Sequence, residues 1–405
     1  MLKINEKRLW DELMRYAKIG GTAKGGVCRV ALTDEDKTGR DTFIDDCEKE
    51  NLTVEIDKMG NIFARRAGKN NSLPAIMMGS HLDSQPTGGK FDGVLGVLAG
   101  LEVIRTLNEN NIETEYPIEV VSWTNEEGAR FAPAMVGSGV FSGDFTLKFA
   151  HAIQDEKGFT IGEGLQRIGY LGNAPIGNRP YAATFELHIE QGPILEAEEK
   201  PIGIVTGVQG IRWYDLIIHG KETHAGPSPM SFREDPVQVL PKVISEIYAI
   251  SERFAPDARA TVGYIHASPG VRNTVPGKIT VSVDLRHPDA AILEKMHEEL
   301  MAICDAGDSS KMELEVIWHS PPVVFAEKCV NAVTKAVGKL QLYAKKMVSG
   351  AGHDAVYVSN VSPTSMIFIP CKDGLSHNEA EYAKPENVAA GANVLLHTVL
   401  LADGN

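Results

Sequence analysis

Ile4, Leu9, Leu13 and Tyr16 recur at helical spacing near the start of the chain, predicting an amphipathic helix with one buried stripe. Thr33 and Asp36 have the form of a capping box that opens a second helix. Ala75-Ile76-Met77-Met78 is a short apolar run ending in Gly79-Ser80-His81, which suits a buried strand. Residues 94–107 predict a helix opened by Gly93 and closed by the Asn-rich stretch 108–111. Residues 118–123 predict a strand that runs straight into Thr124-Asn125-Glu126-Glu127. In residues 181–188 Ala183, Phe185 and Leu187 alternate with Thr184 and Glu186, and the run ends at His188. Strands alternating with helices predict an α/β fold with a mainly parallel sheet and helices on both faces.

Between about residues 211 and 322 the pattern changes. It reads strand (211–219), helix (235–254), strand (260–266), strand (278–286), helix (288–305) and strand (311–319). This βαββαβ order is the ferredoxin-like arrangement of four strands and two helices. Pro241 falls inside the first of these helices, predicting a kink or a later helix start. After Pro321-Pro322 strand–helix alternation resumes, with 365–370 another apolar strand. The chain therefore reads as one domain built from 1–210 and 323–405, interrupted by an inserted domain at 211–322. A length of 405 residues fits two or three domains.

Composition narrows the function classes. With 40 Lys plus Arg against 54 Asp plus Glu, the formal net charge is −14, which argues against nucleic acid, whose binding needs clustered cations. No apolar stretch approaches the roughly 20 residues that span a bilayer, so no membrane partner is expected. The N-terminus turns polar at once, unlike a signal peptide. Cys28, Cys47, Cys304, Cys329 and Cys371 are scattered, without a C-x-x-C pair, and read as buried thiols of a cytoplasmic protein.

In open α/β sheets ligands gather outside the carboxyl ends of the strands. His81, the pair Glu126-Glu127 and His188 each stand at such an end, so three strands deliver metal-binding side chains toward one edge. His81-Leu82-Asp83 places two side chains on the same side of an extended segment, where Asp83 can orient a metal-bound imidazole. Asp92, in the Gly-flanked loop Lys90-Phe91-Asp92-Gly93, has two oxygens and can bridge cations about 3.5–4 Å apart. Adjacent Glu126 and Glu127 are electrostatically costly without a cation. With one present, one carboxylate can ligate while the other acts as a base toward an activated water. In isolation the pair would read as a solvated turn before Gly128; His81, Asp92, His188 and His377 tip the balance.

His151, His297 and His397 read as surface or packing residues, and His219, His266 and His319 lie on or at the ends of strands. His224 and His353 sit in Gly- and Pro-rich loops, where either a functional or a structural role remains open. Mixed imidazole and carboxylate donors suit Zn, Mn, Co or Ni alike.

Four motifs together resemble a known family: Gly79-Ser80-His81-Leu82-Asp83-Ser84, Gly89-Lys90-Phe91-Asp92-Gly93, Thr124-Asn125-Glu126-Glu127-Gly128-Ala129-Arg130-Phe131, and Glu186-Leu187-His188-Ile189-Glu190-Gln191-Gly192. They look like the M20-type amidohydrolases, and within them the N-carbamoyl-L-amino-acid hydrolases, β-ureidopropionases and allantoate amidohydrolases. The resemblance runs over nearly the whole chain. It implies a catalytic domain with two divalent ions and an inserted lid domain through which homodimers form. It assigns His81 and His188 to one ion, Glu127 and His377 to the other, Asp92 to both, and Glu126 as general base.

The resemblance further implies substrate contacts from Gln191, Asn273, Arg286 and His353, with Arg286 gripping a carboxylate. His224 of a partner's lid would stabilise the oxyanion. The histidine at position 188 is typical of the carbamoylase branch, where the wider superfamily usually has Asp or Glu. The implied reaction is hydrolysis of the ureido C–N bond of an N-carbamoyl amino acid to the amino acid, CO2 and NH3. Ser84-Gln85-Pro86 and the segments 89–92, 349–354 and 372–378 lean toward the β-ureidopropionase type. Allantoate amidohydrolase and an aminoacylase or dipeptidase on the same scaffold are the alternatives.

Overall fold

The computed structural model describes residues 1–306 and 311–404. Its strands are β1 (Thr53–Ile56), β2 (Ile62–Arg66), β3 (Ala75–His81), β4 (Ile118–Trp123), β5 (Tyr181–Ile189), β6 (Ile202–Val208), β7 (Gly210–His219), β8 (Thr223–His224), β9 (Arg259–Ser268), β10 (Thr274–Val275), β11 (Lys278–His287), β12 (Met312–Ser320), β13 (Val323–Val324), β14 (Ala344–Ser349) and β15 (Thr364–Ile369). β3, β4 and β15 are buried at every position. Strands covered on both faces have no solvent side, which is why they read as apolar runs rather than alternations.

These three strands and β5 form the middle of a nine-stranded sheet of order β1-β2-β4-β3-β5-β15-β6-β13, with β14 paired to β6. The pairs β4–β3, β3–β5 and β5–β15 are parallel. The flanks β1–β2, β2–β4, β15–β6 and β6–β13 are antiparallel. The sheet is thus mixed, and parallel where it bears the residues of interest.

Both faces are covered. The helix Val94–Glu109 is buried from Val94 to Leu107, and Gly96 brings its backbone against the Leu187 carbonyl. On the other face Met77, Val121, Trp123 and Tyr181 pack with Phe141 and Val358 of the helices Val136–Ser142 and Asp354–Val358. Thr33 caps the helix Asp34–Lys49 by accepting from the Asp36 N–H at 3.3 Å. The box is not reciprocal, because the Asp36 carboxylate turns to the Leu32 N–H and to Arg40, each at 2.8 Å.

The chain divides into two compact units, Met1–Thr206 with Phe325–Asn405, and Gly207–Val324. In the second, the antiparallel order β12-β7-β11-β9 is the ferredoxin-like one. Tyr214, Leu216, Ile218, Val283 and Leu285 pack against Val243, Ile247, Leu293, Met296 and Leu300 of the two helices. Each such fully buried side chain contributes about 1.5–3 kcal/mol, so this unit has a core of its own. The expected late helix start is not found. Asp235 caps a helix that begins at Pro236, where proline suits the first helical position, and runs on through Pro241 to Arg253. No helix among the described residues is long and apolar enough to cross a membrane.

Candidate metal centre

Three strand ends bring the chemistry together, and each is braced by buried polar groups. Beyond β3, the fully buried Arg29 donates to the carbonyls of Leu82 (2.6 Å), Tyr16 (3.0 Å) and Ile19 (3.1 Å), fixing the segment between His81 and Asp83. Beyond β4, Asn125 adopts a left-handed φ of 57°, a conformation asparagine tolerates. Its amide donates to the Phe131 carbonyl at 2.9 Å, and the turn presents Glu126 and Glu127 in succession. Beyond β5 comes His188. Gly93, with φ 66°, lies between the two histidines, and a Cβ there would sit 2.3 Å from the His81 ring. Only glycine fits.

Asp92 is the hub. Its Oδ1 lies 3.5 Å from His81 Nε2 and 3.2 Å from His188 Nε2. Its Oδ2 faces His377 Nε2 at 3.7 Å, and that nitrogen is 3.2 Å from Glu127 Oε2. The other ring nitrogens of His81 and His188 are each 2.9 Å from a main-chain carbonyl, of Asp83 and Ile189. Those nitrogens must carry the protons, so in the neutral rings Nε2 turns a lone pair toward a carboxylate. A proton or a cation must stand between such a nitrogen and a carboxylate oxygen, and a metal ion would take the proton's place. Metal bonds of about 2.0–2.1 Å at tetrahedral angles separate neighbouring donors by about 3.3 Å, which these spacings match. His81-Asp92-His188 and Asp92-Glu127-His377 are two groups that could each hold an ion. Glu186, His188 and His353 also lie close together, sharing His188 with the first group.

The charges agree with this. Burial opposes charging His81 and His188, yet Glu126 and Asp92 outweigh it, so both titrate above the usual histidine value. The hydrogen bond to Glu127 does the same for His377. Burial pushes the Glu126 carboxyl well above its usual range, with Asp354 and Glu127 adding to the push against the pull of His81. That suits a group that must accept a proton. Cations must displace protons from these imidazoles. Metal uptake by chelated protein should therefore release protons, and affinity should fall as pH drops below the raised histidine values. Calorimetry in two buffers of different ionisation heat checks this; a pH-independent affinity would contradict it.

The profile described as "Peptidase family M20/M25/M40" matches residues 77–401. The chain belongs to this family. It is 47% identical over 402 residues to the N-carbamoyl-L-amino-acid amidohydrolase of Rhizobium meliloti, covering 98% of this chain and 96% of that one. It is 33% identical to the allantoate amidohydrolase of Bacillus subtilis (strain 168), covering 95% of each. A crystal structure of an amidase of the hydantoinase/carbamoylase family from Burkholderia multivorans is 53% identical, with a TM-score of 0.95 over 100% of this chain and 99% of that one.

In this M20 chain the remaining candidates fall into two groups. Asp83 works differently from expectation: its main-chain carbonyl, not its carboxylate, holds His81. The carboxylate accepts the N–H groups of Glu126 and Glu127 at 3.2 Å each. Its Oδ1 is 4.0 Å from His81 Nδ1, too far for that bond. Gln191 donates to Asp92 Oδ2 at 2.8 Å, and its own Oε1 is buried without a partner among the described residues. His353 is buried, bonded to Ser349 Oγ at 3.1 Å, with its ring 4.6 Å from that of His188.

The second unit carries the other three. His224 lies on β8 and Asn273 immediately precedes β10, where the Ala225 N–H donates to the Asn273 carbonyl at 2.9 Å. Arg286, on β11, forks onto Asp284 at 2.7–3.0 Å. His151, His297 and His397 bond to Lys58, Tyr214 and Leu2, the packing roles expected of them. Sequence reading missed Ser376, which donates to Asp92 Oδ2 at 2.7 Å, and Glu381, which accepts the N–H groups of Phe91 and Asp92. Ser376 lies within the family-like segment 372–378 without a role of its own there, and Glu381 leaves no periodic or motif signal.

Proposed function

We propose that this protein is a two-metal amidohydrolase that cleaves the ureido C–N bond of N-carbamoyl-L-amino acids, yielding the amino acid, CO2 and NH3. One observation carries the proposal: a buried carboxylate, Asp92, with imidazole nitrogens facing both of its oxygens and a second, pKa-raised carboxylate, Glu126, beside it. His81 and His188 would hold one divalent ion, Glu127 and His377 the other, and Asp92 both; Zn, Mn, Co and Ni fit the donors equally. Such ions would lower the pKa of a bound water and stabilise negative charge developing on a carbonyl oxygen.

Glu126 takes the proton from the attacking water and returns it to the leaving nitrogen, so that one residue serves as base and then as acid. Its burial excludes bulk water from that transfer. The substrate contacts rest on the family resemblance and on side-chain chemistry. Arg286 would grip the substrate carboxylate through paired hydrogen bonds, with Gln191, Asn273 and His353 as polar contacts. His224 would come from a partner's lid to meet the oxyanion. A homodimer through the second unit is supported by its two open edge strands, β9 and β12, which expose Tyr264, Ile265, Val316 and Ile317. Exposed apolar edges are templates for strand pairing.

The name of the 47%-identical relative favours α-carbamoyl substrates over the β-ureidopropionase lean of four segments. One methylene distinguishes the two and changes binding by only about 1–3 kcal/mol, so activity on N-carbamoyl-β-alanine is expected as a weaker side reaction. The test is ammonia release by chelated protein reloaded with Mn, Zn, Co or Ni, on N-carbamoyl-L-amino acids, N-carbamoyl-β-alanine, allantoate, N-acyl amino acids and dipeptides. Turnover of acyl or peptidyl substrates alone would replace this reading with an aminoacylase or dipeptidase. Arg286→Ala should raise KM for carboxylate substrates by about 10–150-fold, the worth of a charged hydrogen bond. Substrate analogues with an amide in place of that carboxylate should be little affected.

A further inference from the structure

The Asp92 loop is pliable by composition, since Gly88, Gly89 and Gly93 surround it. Something must therefore aim the carboxylate on which both ions would depend. Glu381 reaches this loop from 290 residues away in sequence, and its Oε1 accepts the Phe91 N–H at 2.9 Å and the Asp92 N–H at 3.1 Å. It is buried at 3% exposure, and its Oε2 is buried without a partner among the described residues. The chain makes room for it. A Cβ on Gly89 would lie 2.0 Å from the Glu381 carboxyl carbon, so only glycine admits that carboxylate.

The neighbours of both residues are locked as well. Phe91, Tyr382 and Trp10 form a three-ring cluster with centroids 5.7–6.4 Å apart. Glu381 shares one short segment with His377 and with Ser376, which donates to Asp92 Oδ2. That segment holds Asp92 from both ends, by its peptide N–H and by its carboxylate.

We infer that Glu381 is a positioning residue: by accepting the Phe91 and Asp92 N–H groups it fixes the peptide plane that points the Asp92 carboxylate between the two ion positions. The inference rests on the two-metal reading. Removing the acceptor leaves two buried N–H groups unpaired, and the loop must turn to satisfy them.

The experiment measures metal content and affinity after chelation and titration with Zn, Mn, Co or Ni, with the melting temperature of the chelated protein as the control for folding. Wild type should hold two ions per chain of at least one metal; fewer with all four would defeat the two-metal reading itself. Glu381→Ala should weaken the second ion by about 10–100-fold, the usual range for groups that orient a ligand. Glu381→Gln, whose amide oxygen still accepts both N–H groups, should bind as wild type does. Gly89→Ala, which displaces the carboxylate without removing it, should reproduce the loss, and the double variant should add nothing further. Unchanged affinity in Glu381→Ala or Gly89→Ala overturns the inference, as does a Glu381→Gln as weak as Glu381→Ala. If Glu381→Ala does not fold, Gly89→Ala and Glu381→Gln decide the matter.

Discussion

Glu126→Gln is expected to lower kcat by about 10²–10⁴-fold, the range of a single general base, while leaving two metal ions bound. The amide keeps the size and the hydrogen-bonding reach of the carboxyl but cannot take a proton from water. Burial and the surrounding acids raise the Glu126 pKa, so the native group is tuned as a proton acceptor and the variant loses that property alone. The geometry also makes the test a demanding one. Glu126 Oε2 lies 3.5 Å from His81 Nε2, the same distance as Asp92 Oδ1. If Glu126 were a ligand rather than a base, the variant would lose metal along with turnover. Metal analysis of the purified variant, beside its kcat, separates the two roles.

Asp92→Ala should have the larger structural consequence. Both candidate ion groups contain Asp92, so its loss removes a donor from each and lets the facing positive charges repel one another. Metal content should fall below one ion per chain, and turnover by at least about a thousandfold, equivalent to about 4 kcal/mol of transition-state stabilisation. Buried Gln191 and Ser376 lose their acceptor as well. The variant that distinguishes charge from coordination is Asp92→Asn, which keeps one carbonyl oxygen and the hydrogen bonds of the loop. Retention of two ions by Asp92→Ala would mean that the ions do not share this residue.

What could be read from the sequence followed from how local the signal was. β3, β4 and β15 announced themselves as apolar runs because both faces are covered, and His81, Glu126 and His188 were visible as polar residues at the ends of such runs. β1, at four residues, and β2, ending in Arg65-Arg66, lie below what periodicity can detect, so the antiparallel flank was missed. The inserted unit was legible because its six long elements follow one another in chain order, broken only by the short β8 and β10. The residues that support the site were not: Arg29, Ser376 and Glu381 act across the fold on partners far away in sequence, and no spacing rule links them. Asp83 shows the same limit within a single motif. Side-chain alternation placed it on the side of His81, but only the structure shows its carboxylate holding the Glu126-Glu127 turn instead.

The central claim is that two ions share Asp92. Crystals of the Mn- or Zn-loaded protein, measured at the metal's absorption edge, test it most directly. Two anomalous peaks about 3.5–4 Å apart should appear, one against His81 and His188, the other against Glu127 and His377, with an Asp92 oxygen on each. A single peak, or two that do not flank Asp92, would contradict the account.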